Sequence, residues 1–183
     1  MTMSGKLFSE SEQQQIVIFA RAVIGAELAR TTAPAMPELP GLSSIGSCFV
    51  TLQLNGALRG CIGNIEAFET LGENLRRNAL NAACNDPRFP ALTQEEFNKV
   101  EIEISLLTPA EPISSLDEFV IGEHGIIFSL FGRRSVFLPQ VPTEQGWDKE
   151  TTLDFLSRKA GFAGNAWKSR DARFSVFKTE IYR

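Results

Sequence analysis

Apolar residues recur at helical spacing early in the chain. Ile16, Phe19, Ala20, Val23, Ile24 and Leu28 fall on one face. Ser9 and Glu12 stand three apart, the spacing of a capping box, so a helix is expected from about Ser11 to Arg30. The proline-rich stretch TTAPAMPELPGLSS cannot continue it and reads as an extended loop. SCFVTLQL and ALRGCI then flank Asn55-Gly56, a pair that tolerates positive φ and signals a tight hairpin. TLGENLRRNALNAAC has a helical pattern that DPRFPAL stops. Thr93 and Glu96 suggest a second capping box before a short helix. In VEIEISLL, Val100, Ile102, Ile104 and Leu106 alternate with Glu101, Glu103 and Ser105, the pattern of a strand with one wet face.

The rest of the chain is more broken. Pro109 and Pro112 interrupt it, SSLDEFV reads as a short helix, and GIIFSL with SVFL suggests a hairpin around Gly132-Arg133. PQVPTEQGW reads as a loop, Asp148 or Thr151 caps a helix ending near Lys159, and ARFSVFKTEIY closes as one strand. Strands and helices do not alternate as a doubly wound sheet requires. The expected class is α+β with a mainly antiparallel sheet.

The hairpin raises the question of chemistry. A two-residue loop places Leu54 opposite Ala57, Leu52 opposite Arg59 and Val50 opposite Cys61, so Arg59 and Cys61 would share a face with Cys48, Val50 and Leu52. A guanidinium two positions from a thiol on that face would favour the nucleophilic thiolate. Gly60 and Gly63 would let a ligand approach the backbone. The plainer alternative is that Cys61 fills the core, Arg59 reaches outward to solvent, and the glycines mark a bulge.

Composition narrows the classes. With 183 residues, 43 % hydrophobic and 22 % charged, the chain suits one ordinary globular domain. The net charge of −4 argues against a general nucleic-acid binder, which needs a basic face. Three cysteines, Cys48, Cys61 and Cys84, form no CxxC pair, which points to a reducing, cytoplasmic setting and not to a disulfide framework. No apolar run is long enough for a membrane span.

Other candidates are weaker. His124 is the only histidine, so histidine-cluster metal sites are excluded, while a role as acid or base beside a cysteine stays open against that of a turn residue. In DPRFP, Asp86 and Arg88 flank a stiffened bend; a local ion pair is the simpler reading, and presentation of Arg88 to an anionic ligand the sharper one. Glu144 beside Trp147 suits a pocket with a tuned acid, with Trp147 as a hydrophobic plug the alternative. No metal site and no cofactor is legible.

LRGCIG, followed in order by NAACNDPRFPAL, VEIEISLLTP and HGIIFSL…RRSVFLPQVPTEQGWDKETTLDFLSRKAG, resembles the AMMECR-domain family, whose prokaryotic members are also called AmmeMemoRadiSam system protein A. The resemblance runs from about residue 10 to the C-terminus; Asn64 stands where threonine is common. It implies a single AMMECR-type domain over 1–183 with two lobes. The larger would hold both termini and an antiparallel sheet flanked by helices, the smaller would fall within 109–170, and the signature motif would lie near a cleft between them. It also implies a Memo-like protein and a radical-SAM protein as partners, and it brings no assigned reaction. On this reading the chain is an enzyme or enzyme component. Cys61 would be the nucleophile or covalent carrier, Arg59 its electrostatic activator or an anion clamp, Glu144 and His124 acid–base candidates, and Gly60, Gly63, Arg88 and Trp147 ligand contacts. The substrate would be a small molecule or a partner's side chain. A non-catalytic binding module or a scaffold is the rival.

Overall fold

The computed structural model describes residues 7–183. It divides into two compact units, one of the described residues up to Leu107 with Glu180–Arg183, the other of Thr108–Thr179. Each is built on a four-stranded sheet, so the class is α+β.

In the first unit, α1 (Glu10–Ala29) starts at the capping box, Ser9 accepting from the Glu12 amide and Glu12 accepting from Ser9, and ends on Arg30 in the left-handed region. β1 (Ser47–Leu54) and β2 (Ala57–Gly63) form the hairpin, and its turn residues Asn55 and Gly56 have φ of 52° and 76°. Next come α2 (Leu71–Cys84), capped by Thr70, and α3 (Gln94–Phe97), whose Thr93–Glu96 capping box is complete. β3 (Glu101–Leu107) pairs with β1, antiparallel like β2. With the final strand β8 (Thr179–Tyr182) the sheet order is β2-β1-β3-β8. Cys48, Val50, Leu52, Ile102 and Ile104 form one buried cluster with Phe19, Val23 and Ile24 of α1 and Leu75, Ala79 and Ala82 of α2. The opposite face carries Thr51, Gln53, Glu101 and Glu103, the polar half of the alternation.

The register of the hairpin departs from expectation. Leu54 faces Ala57 and Gln53 faces Leu58, but a bulge follows, so Leu52 lies opposite Gly60 and Thr51 opposite Cys61. Arg59 is the extra residue. The cause lies in helix packing: a Cβ on Gly60 would sit 2.1 Å from the Ala82 carbonyl oxygen of α2, so only glycine can occupy that point. Gly63 is needed on the other face, where a Cβ would meet the Phe49 ring at 2.3 Å.

The second unit begins with β4 (Glu111–Pro112), a short strand the sequence pattern did not show. β5 (Gly125–Leu130) and β6 (Arg133–Phe137) form a hairpin whose turn is Phe131-Gly132, one residue earlier than expected. The stretch expected to be a loop contains α4 (Gln140–Gln145), closed by Gly146 at φ 66°. α5 (Lys149–Lys159) is capped by Asp148. The closing segment is two strands, because Lys178 separates β7 (Arg173–Phe177), in the sheet β4-β7-β5-β6, from β8. Phe119, Ile126, Phe128, Leu153 and Leu156 are the buried centre of this unit.

Candidate functional site around Cys61

The one-residue shift changes what surrounds the thiol. Cys61 lies off the core face that holds Cys48, Val50 and Leu52, on the face of Thr51, whose Oγ1 is 3.3 Å from its Sγ. β2 is an edge strand. The backbone of Cys61 is completed by side chains instead of a further strand: Asp86 accepts from its amide at 2.9 Å, and Arg88 donates to its carbonyl at 3.1 Å. Asp86 and Arg88 are joined to each other at 2.7 Å. An ion pair thus stands in for a neighbouring strand and blocks the open edge.

Asp86 is nearly sealed from solvent, with a side chain 2 % exposed, and it also accepts from the amide of Arg88. Hydrogen bonding from the Arg88 guanidinium, helped by the two amides, holds its carboxyl well below the usual range against the opposing effect of burial. The Arg88 guanidinium is stabilised in return, first by Asp86 and then by charge attraction and hydrogen bonding to Cys61. A fixed cation therefore lies beside Cys61, held at its backbone carbonyl.

That cation is Arg88, whereas Arg59 is committed elsewhere. Arg59 is buried and clasped by Glu96 through Nε at 2.8 Å and Nη2 at 2.9 Å, with a further bond to the Ala91 carbonyl. The pair pulls the Glu96 carboxyl down to about 2. The Phe89 ring lies 5.9 Å from the Arg59 guanidinium and 5.6 Å from that of Arg88. The expectation that Arg59 and Cys61 share the face of Val50 and Leu52 is corrected by the bulge.

The other two thiols differ. Cys48 is fully buried, with its amide and thiol against Asn74 Oδ1 at 3.0 and 3.5 Å, and burial pushes it up to about 12. Cys84, at the end of α2, is also raised, by burial first and by the charge of Glu27 second. It is partly exposed.

The remaining candidates fall in the second unit. His124 accepts from the Val120 amide through Nδ1 at 3.2 Å and lies 3.8 Å from Glu123, as a turn residue would. Glu144 is exposed on α4. Trp147 stacks on Phe155 at 4.3 Å and meets Phe137 edge-on at 5.6 Å, a packing arrangement. Arg59, Gly60, Cys61, Gly63 and Arg88 all belong to the first unit.

Two participants were not singled out from the sequence. Thr51 and Glu103 are register partners, so Cys61, Thr51 and Glu103 form one row across three strands. Glu103 pairs with Arg183 at 2.7 Å, and both line a cavity of about 280 Å³ with Gln53, Glu101 and Arg21. The signal existed in the polar half of VEIEISLL, but it gains meaning only once the strands are paired. Among the described residues, no three His, Cys, Asp or Glu side chains gather as metal ligands. No described helix is long and apolar enough to cross a membrane.

Known proteins share this architecture. The crystal structure of the uncharacterized protein PH0010 from Pyrococcus horikoshii is similar, with a TM-score of 0.87 and 31 % identity over 96 % of this chain and 93 % of that one. Protein MJ0810 of Methanocaldococcus jannaschii is 36 % identical over 97 % of this chain and 92 % of its own. A protein of Aquifex aeolicus is 40 % identical over 69 % of this chain and 67 % of its own. The AMMECR1 family model matches residues 17–182, and the chain belongs to the AMMECR1 family.

Proposed function

We propose that this AMMECR1-domain protein is an enzyme or enzyme component whose reactive group is the Cys61 thiol. The observation that carries the reading is the company of that thiol. It is partly exposed, 3.3 Å from a hydroxyl, and beside a guanidinium that Asp86 holds in place, while the remaining thiols are raised by burial. Cys61 acts as nucleophile or covalent carrier. Thr51 Oγ1 hydrogen-bonds the sulfur, and Arg88 stabilises negative charge on it or on an incoming acyl or phosphoryl group. The polar row through Thr51 to Glu103, with its adjoining cavity, gives a small molecule or a partner's side chain a surface beside the nucleophile.

The sequence motif adds context: the protein would work in an AmmeMemoRadiSam system beside a Memo-like and a radical-SAM protein. The test is intact-mass spectrometry of the protein after incubation with both partners and S-adenosylmethionine. A covalent adduct mapped to Cys61, absent from Cys61→Ser, is the expected result. A stable complex with no adduct, formed equally well by Cys61→Ser, would replace this reading with that of a scaffold.

A further inference from the structure

The second unit contains a cavity of about 520 Å³, lined by Ile113, Ser114, Leu116, Arg170, Arg173 and Phe174 among others. Small-molecule sites span roughly 300–1,000 Å³. Two arginines, Arg170 and Arg173, line this cavity. Their states differ in a useful way. Arg173 Nη1 donates to the backbone carbonyls of Arg170 and Ala172, at 2.9 and 3.0 Å. These bonds restrain the guanidinium through Nη1 alone. Arg170 is exposed, and its side chain makes no hydrogen bond, ion pair or ring contact with any described residue.

The carboxylates of the segment 114–118 are already engaged. Glu118 accepts from the amides of Ser114 and Ser115, and Asp117 accepts from the Ser115 hydroxyl. Those amides are therefore not available to a ligand, but the Ser114 hydroxyl is. The walls between these polar groups are apolar, from Ile113, Leu116 and Phe174. The backbone beneath is firm: β4 pairs with β7 through Pro112–Ser175 and Glu111–Val176, and the Ile113 amide donates to the Phe174 carbonyl at 3.1 Å.

We propose that this cavity binds a small phosphorylated metabolite, a phosphate monoester with a planar apolar body. Arg170 and Arg173 grip the phosphate from two sides, one preorganised and one mobile, and Ser114 Oγ donates to a third oxygen. The ester's body lies against Phe174 and Leu116. A bare anion uses only the polar half, so an aryl phosphate binds more tightly than inorganic phosphate. The site stands apart from the Cys61 reading and requires no chemistry.

The test is isothermal titration calorimetry of the full chain with phenyl phosphate and with inorganic phosphate. Phenyl phosphate is expected to bind in the micromolar to low-millimolar range and more tightly than phosphate. Arg170→Ala, which removes no internal contact, should weaken it about tenfold or more, the effect of one charge-assisted contact. Arg170→Lys should recover part of that loss. Lys168→Ala, a loss of the same charge at a residue paired with Glu150, should leave affinity unchanged, as should Cys61→Ser. Circular dichroism confirms that each variant is folded. Absence of binding by either probe, or affinity indifferent to Arg170→Ala, would overturn the proposal. Equal weakening by Lys168→Ala would do the same, since it would mean general electrostatic attraction.

Discussion

Replacing Asp86 by asparagine should weaken the first unit sharply and change its response to acid. The Asp86 carboxylate accepts four bonds: from the Cys61 and Arg88 amides at 2.9 and 3.0 Å, and from Arg88 Nε and Nη2 at 3.0 and 2.7 Å. Asparagine keeps the shape but turns one oxygen into a donor, which must then face a donor on either side. Hydrogen bonds to a charged group contribute about 1.5–3 kcal/mol each, and the two amides are the ones that count in full. The Arg88 side chain is 54 % exposed, so water recovers most of its share. Allowing for the one oxygen that remains, the expected cost is about 2–4 kcal/mol.

The dependence on pH gives a second handle. Because the folded carboxyl titrates below its ordinary 3.8, the stabilisation is complete above that value and is lost as pH falls toward the folded value. The gap between the two proteins should therefore be constant near neutrality and close in acid. Urea unfolding followed by far-ultraviolet circular dichroism is the assay, since both tryptophans, Trp147 and Trp167, lie in the second unit and would miss the event. An Asp86→Asn midpoint matching the parent's at neutral pH, or a gap that widens in acid, would refute the edge-clamp account.

Three further outcomes follow from the packing. Gly60→Ala should cost about 3 kcal/mol or fail to accumulate folded protein, since the new methyl meets the Ala82 carbonyl; wild-type solubility and melting would contradict this. Glu96→Gln should destabilise by about 2–3 kcal/mol at neutral pH by stranding the buried Arg59, with the difference fading as pH drops through the ordinary carboxylate range toward about 2, as denaturation at several pH values will show. Phe131→Asn should raise stability by about 0.5–1 kcal/mol, because Phe131 is 74 % exposed yet held at φ 46° in a turn that suits Asn-Gly. A drop in thermal melting would mean that the ring makes a contact worth more than the strain.

What the sequence made legible was local. Ser9–Glu12 and Thr93–Glu96 cap helices through bonds spanning three residues, and Asn55-Gly56 sets its own turn, so pattern alone suffices. α4 was hidden by its prolines, although Pro139 at the cap and Pro142 in the first turn remove no intrahelical bond. The final strand looked continuous because its alternation runs through Lys178, where the chain passes from one sheet to the other. The bulge at Arg59 was invisible for a deeper reason. It depends on α2 lying against Gly60, a contact made 22 residues later in the chain, at Ala82. The site inherited that error: Cys61 and its glycines were visible in LRGCIG, but the cation beside the thiol comes from DPRFP, 27 residues on from Cys61.

The central claim is that Cys61 is the reactive thiol and that Arg88 makes it so. The direct measurement is the rate of alkylation by iodoacetamide at near-neutral pH, with each labelled cysteine mapped by mass spectrometry. Cys61 should label first, well ahead of Cys84, with Cys48 protected until the protein unfolds. Arg88→Ala should slow Cys61 several-fold and Arg88→Lys less so, while Arg59→Lys leaves the rate unchanged. Faster labelling of Cys84 or Cys48 in the folded protein, or a Cys61 rate indifferent to Arg88→Ala, would contradict the account.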